Sequence, residues 1–174
     1  MKLIKSSFEI IEQYPGIEGI YKQIELAGRT CYKSEPKYRY WNKDGNRWLN
    51  SDTEDFKMCY SEKEFPIKEN VSAKDFVDRM IKSGHGAMLE HGTVYLETPP
   101  SITHYNNNKY SIVTTECSDL DGINRYVTTN LRVLVENGWL EDLKYLCEPT
   151  KYHVKRVTVK FTCDRGVSHK QFVA

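Results

Sequence analysis

The run SAKDFVDRMIKSGHGAMLEHGTVYLET, residues 72–98, carries the local signals that decide the fold class. Ser72 followed by Asp75 resembles a capping box with Asp in place of the usual Glu. Behind it Phe76, Val77, Met80 and Ile81 fall on one helical stripe. Ser83-Gly84 ends that helix. Gly84 and Gly86 flank His85, so the backbone there can turn sharply or approach a ligand closely. Thr93 to Thr98 alternates as a strand does, and Pro99-Pro100 stops it.

Upstream, Lys2 to Ile11 has a rough two-residue period and predicts a first strand. Tyr14-Pro15-Gly16 is a turn. Ile17, Ile20, Tyr21, Ile24 and Ala27 then recur at helical spacing, with Gly28 a place for that helix to weaken or stop. From Ser34 to Asn70 regular periodicity disappears among turn formers such as Pro36, Asp44-Gly45-Asn46 and Pro66. Residues 34–70 are expected to form a long loop excursion, with one short hairpin around Asp44-Gly45.

Downstream, Asn106 to Asn108 is a loop tip and Tyr110 to Thr115 a strand. Asn130 to Asn137 predicts a helix with Leu131, Leu134 and Val135 on one side and Gly138 beyond its end. Leu140, Leu143 and Leu146 predict a second short helix before Pro149. Val157, Val159, Phe161 and Cys163 alternate with Thr158, Lys160 and Thr162, the clearest strand pattern in the chain. Helices and strands in this mixed order point to an α+β fold with a largely antiparallel sheet, in one domain spanning residues 1–174.

The chain has 174 residues, 39% of them hydrophobic and 28% charged, which is enough to bury a core. Lys and Arg total 25 against 24 Asp and Glu, so net charge gives no general reason to expect a polyanionic partner. No apolar run approaches the roughly 20 residues of a membrane span, and Met1 to Ile11 lacks a secretory leader pattern. Cys31, Cys59, Cys117, Cys147 and Cys163 are scattered and odd in number. That fits reduced, mostly buried thiols in the cytoplasm better than a disulfide framework.

The densest polar constellation is His85, Glu90 and His91. At a helix-to-strand junction such residues can hydrogen-bond a heterocycle or place a general acid or base, or simply cap nearby backbone groups. The spacing is not that of the zinc helix motifs, which need both histidines on one helical face, so no metal is expected.

Four segments together resemble the flavin-dependent thymidylate synthases (the thymidylate synthase complementing protein family). They are Ala27-Gly28-Arg29-Thr30-Cys31-Tyr32, Gly84-His85-Gly86-Ala87-Met88-Leu89-Glu90-His91, Thr129-Asn130-Leu131-Arg132-Val133-Leu134, and the stretch from Phe161 to His169. The resemblance covers nearly the whole chain, in order. It implies transfer of the methylene of methylenetetrahydrofolate to dUMP, with reduced FAD supplying the hydride and NADPH re-reducing the flavin. It implies FAD contacts at His85, Glu90 and His91, a nucleotide contact at Gln171, and a homo-oligomer, tetrameric in the family. Ala87 stands where a small hydroxyl residue is often found. The family's Arg-His-Arg signature, whose guanidiniums hold phosphates and activate the uracil ring, has no counterpart: Lys170-Gln171-Phe172-Val173-Ala174 closes the sequence. The expectation is a shortened N-terminal portion that does not make dTMP alone, with its catalytic residues unassigned.

Two further readings come from other classes. One is a non-catalytic remnant that keeps the oligomer contacts. The other is single-stranded nucleic-acid binding through residues 32–48, where Lys33, Lys37, Arg39, Lys43 and Arg47 interleave with Tyr38, Tyr40 and Trp41. Glu35 and Asp44 dilute that patch.

Overall fold

The structure, a computed structural model, describes residues 5–42, 47–50, 68–118 and 122–163. Strand β1 (Ser7–Ile11) leads into helix α1 (Gly16–Tyr32). Strands β2 (Tyr38–Asn42), β3 (Arg47–Asn50) and β4 (Lys68–Asn70) follow, then helices α2 (Ala73–Lys82) and α3 (Gly86–Leu89). Strand β5 (Thr93–Thr98), a 3₁₀ turn at His104–Asn107, β6 (Ile112–Ser118) and β7 (Gly122–Asn130) come next. Helix α4 (Leu131–Glu136), a 3₁₀ segment at Leu140–Tyr145 and β8 (Thr158–Thr162) complete the described chain. No described helix is long and apolar enough to cross a membrane.

The architecture is α+β with antiparallel pairing among the described strands, as the mixed pattern predicts. The central sheet has the order β5-β7-β6. Its register runs Thr93 opposite Asn130 to Thr98 opposite Arg125, and Ile112 opposite Thr128 to Ser118 opposite Gly122. Helices α1, α2, α3 and α4 close one core on it, where Ile20, Ile24, Phe76, Val77, Leu89, Val94, Leu96, Val127, Leu131 and Leu134 are buried. The central strand, β7, is the one that sequence periodicity does not reveal. Arg125 to Asn130 are all buried, polar residues included, so the strand shows no apolar/polar alternation.

The segment expected to lack regular structure holds a three-stranded sheet, β3-β2-β4, in its described parts. The expected hairpin is there, with Asn42 opposite Arg47 and Trp41 opposite Trp48. The turn residues 43–46 lie outside the described residues. The third strand is short and its pairing, Tyr38 with Asn70 and Tyr40 with Lys68, spans about thirty residues of sequence. No local pattern announces such a contact.

One helix boundary and one helix cap differ from expectation, each for a physical reason. Helix α1 runs through Gly28 to Tyr32 and ends where Lys33 adopts a left-handed conformation at φ 50°. Gly28 is instead the crossing point with α2: a Cβ there would lie 2.4 Å from Cζ of Phe76. The Ser72/Asp75 capping box does not form. The first turn of α2 is capped by Asn70, whose Oδ1 accepts from the N–H groups of Ser72 and Ala73 at 2.9 and 3.0 Å. The Ser72 hydroxyl is drawn away to donate to the Glu25 carboxylate at 2.6 Å.

At Gly28 packing and helix propensity oppose each other. Alanine favours a helix by about 1 kcal/mol over glycine, whereas overpacking a core costs about 1–3 kcal/mol. Phe76 is buried and cannot withdraw. Gly28→Ala is expected to lower the urea midpoint, and Phe76→Leu on that background to restore part of it. A raised midpoint in Gly28→Ala alone would refute close packing of α1 on α2.

Candidate functional site

Helix α3 lies between α2 and β5, and it organises the candidate site. His85 is its N-terminal neighbour at φ −78°, ψ 62°, with its N–H bonded to the Met80 carbonyl at 3.0 Å. Glu90 closes the helix and His91 follows with its N–H on the Met88 carbonyl at 3.3 Å. At about 1.5 Å of rise per residue, His85 and Glu90 stand at opposite ends of this short element. All three side chains are exposed.

Glu90 is held from a distant part of the chain. The Arg132 guanidinium on α4 donates to it at 2.5 Å and to Glu136 at 2.6 Å. Gly86 makes room for this arrangement, because a Cβ there would lie 2.9 Å from Arg132 Nε. The hydrogen bonds of Arg132 to Glu136 and then Glu90 push its pKa upward, so the guanidinium is firmly charged. The Glu90 carboxylate is thereby oriented before any ligand arrives.

His85 borders a shallow depression of about 580 Å³, shared with Tyr32, Arg79, Met80, Lys82 and Ser83. Tyr32 is the last residue of α1. Three of the four segments singled out in the sequence thus converge around α3: Tyr32 from the first, His85 and Glu90 from the second, Arg132 from the third. The fourth does not join them in the described structure. Phe161 sits on β8, opposite Phe8 of β1, and residues 164–174, including Gln171, lie outside the described residues. His85 and His91 make no side-chain hydrogen bond among the described residues, and Ala87 is exposed with no hydroxyl to offer. No described group of three or more His, Cys, Asp or Glu is arranged to hold a metal ion.

The basic and aromatic stretch 32–48 is partly consumed by its own sheet. Tyr40 is buried, and Arg39 pairs with Glu69 at 2.7 Å while covering the Trp48 ring at 4.7 Å. Fewer cations and rings remain there for nucleic-acid bases than the sequence suggests. Lys43 and the side chain of Arg47 lie outside the described residues.

Two histidine arrangements escape sequence reasoning, because each has a partner far away in the chain. His104 Nε2 lies 2.9 Å from Asp142 Oδ2, which also accepts from the Tyr105 hydroxyl at 2.8 Å, and the His104 ring packs at a tilt against Trp139, centroids 4.1 Å apart. His153 is buried, with Nε2 3.2 Å from the Leu96 carbonyl and 3.8 Å from Cys147 Sγ. Its Nδ1 accepts from the Thr150 N–H at 3.1 Å, which places the ring proton on Nε2. The cysteines divide differently from expectation: Cys31 and Cys163 are exposed and Cys147 is half-buried, all three as free thiols. Burial, and then the Glu97 carboxylate, push the Cys147 thiol up to about 11, so it stays protonated.

No protein-family model, curated protein or solved structure matches this chain. The site stands on its own geometry.

Burial lowers the His153 pKa, against smaller upward effects of the Leu96 carbonyl and Glu97. A histidine neutral in the folded state and free to charge in the unfolded chain gives stability that is complete above the unfolded value of about 6.5. That stability is lost as pH falls from there through the lower folded value. Between about pH 7.5 and about pH 5.5 the urea midpoint is expected to fall more for the wild type than for His153→Gln, which has no proton to take up. Equal falls in the two proteins would refute a neutral His153.

Proposed function

We propose that the chain supplies a flavin-contacting segment of a flavin-dependent thymidylate synthase. The observation that carries the reading is the convergence of Tyr32, His85, Glu90 and Arg132 on the surroundings of one four-residue helix, from three of the segments that resemble that family. Chain positions dozens of residues apart have no local reason to meet there.

The depression fits the chemistry of FAD. It has an exposed aromatic ring at Tyr32, cations at Arg79 and Lys82, and an imidazole at His85 with no hydrogen bond of its own among the described residues. Rings can stack on Tyr32, and the two cations can meet a pyrophosphate. His85 offers a hydrogen bond to a heterocycle, His91 lies exposed beyond the far end of α3, and Glu90, locked by Arg132, is a fixed acceptor.

When bound, FAD supplies hydride chemistry, which in this reading completes the methyl group carried from methylenetetrahydrofolate to dUMP, with NADPH as reductant. The chain's own residues bind and orient. No Arg-His-Arg triplet occurs among residues 1–174, so the reading assigns cofactor contacts here and leaves the nucleotide-activating residues unassigned. The depression is open to solvent, which suits a site that further copies of the chain would complete. The reading places the protein in the cytoplasm, where the nucleotide, folate and reduced thiols are found.

FAD fluorescence and its visible spectrum, followed during titration of the purified protein, test this directly. Saturable binding is expected, weakened about tenfold or more in His85→Ala and in Tyr32→Ala, since a lost aromatic or hydrogen-bonding contact of about 1.4 kcal/mol is a factor of ten. A folded protein that leaves FAD spectra unchanged would overturn the proposal and favour the non-catalytic remnant.

A further inference from the structure

A cavity of about 430 Å³ lies away from α3, between the β1–α1 turn, the start of β5 and the chain on either side of His153. Its size is at the lower end of the roughly 300–1,000 Å³ typical of small-molecule sites. Its apolar wall includes Ile10, Ile20, Leu146 and Val157. One end is closed by Gln13, whose carboxamide bonds both the N–H and the carbonyl of Thr93 at 2.8 Å, as a neighbouring strand would.

Positive and hydrogen-bond-donating groups also line the cavity. Lys155 and Arg156 line it, and both are exposed and outside any described ion pair. Pro15 and Gly16 bring the start of α1 to the cavity, and the first turn of this long helix has no side-chain cap. The helix dipole at this end favours an anion, and Glu18, the acidic residue of the first turn, is paired with Lys22 at 3.7 Å. Tyr95, only 9% exposed, accepts from the Arg156 N–H at 3.0 Å and has no acceptor for its own proton among the described residues. Glu12 and Glu148 also line the cavity. Two cations against two carboxylates leave the lining neutral, so an acidic head group is met locally by Lys155, Arg156 and the helix dipole, and a polyanion is disfavoured.

We propose that this cavity is a binding site for a small amphipathic monoanion, an apolar or aromatic body carrying one acidic head group. The apolar body lies against Ile10, Ile20 and Leu146. The head group meets Lys155, Arg156, the first turn of α1 and the Tyr95 hydroxyl. Cys147 lines the same cavity as a neutral thiol, so an occupant shields its sulfur from solvent. This site is independent of the flavin reading, and FAD binding at His85 neither supports nor weakens it.

The test uses 8-anilinonaphthalene-1-sulfonate, an aromatic monoanion, beside its uncharged relative N-phenyl-1-naphthylamine, both followed by fluorescence. Saturable sulfonate binding is expected, weakened about tenfold or more in the Lys155→Ala/Arg156→Ala protein, while binding of the uncharged probe stays unchanged. The sulfonate is also expected to slow modification of Cys147 by methyl methanethiosulfonate, read site by site by mass spectrometry, with the exposed Cys31 and Cys163 as internal controls. Sulfonate affinity unaltered by the double substitution would overturn the proposal. So would equal weakening of both probes, or Cys147 modification at the same rate with and without the sulfonate.

Discussion

A carboxylate with no exposed surface holds the two halves of the helical layer together. Glu25, in the middle of α1, is fully buried. Its Oε1 accepts from Arg29 at 2.7 Å and from the Ser72 hydroxyl at 2.6 Å, and its Oε2 accepts from Asn70 at 2.6 Å. A buried charge left unpaired would cost several kcal/mol, so each of these partners is held where it is needed. The consequences spread outward. Asn70 is kept at the first turn of α2 and caps it, and Ser72 also accepts the Lys37 N–H at 2.8 Å, tying down the far end of the β2–β4 sheet. With α2 fixed against α1 at Gly28 and Phe76, α3 follows at the end of α2, and His85 and Tyr32 border the same depression.

This network explains why a plausible local motif failed. Ser72 and Asp75 have the spacing of a capping box, and in an isolated helix the serine hydroxyl would cap its own first turn. Here a charged acceptor competes for that hydroxyl and wins, since hydrogen bonds to charged groups are worth about 1.5–3 kcal/mol against about 1 for a neutral cap. Asn70 takes over the vacated role. Arg29, in the Ala27–Tyr32 segment, likewise has a structural duty: its guanidinium pairs with Glu25 and lies 5.2 Å from the Phe76 ring centroid.

The candidate site was legible in part. The glycines around His85, the acidic and imidazole groups after them and the strand that follows are local features, and a scan along the chain finds them. The fixing of Glu90 by Arg132 is not local, because the two are 42 residues apart. The same holds for His153 beneath the Leu96 carbonyl, where the separation is 57 residues. Such partners become neighbours only when β5 and β7 pair and α4 folds back from the end of β7.

By itself the sequence determined the fold class, most helices and strands of the described chain, and the short segment where polar chemistry concentrates. It could do so because hydrophobic period and turn residues act over a few positions, where the chain is its own ruler. Only the tertiary structure decided that β7 is the centre of the sheet, since a strand buried on both faces, polar residues included, leaves no alternation to read. Only it decided that α1 passes through Gly28, because a missing side chain there is required by Phe76 and not by the helix. It alone brought Arg132 to Glu90 and Tyr32 to His85. Those pairings depend on packing between distant elements, which no local property of the chain encodes.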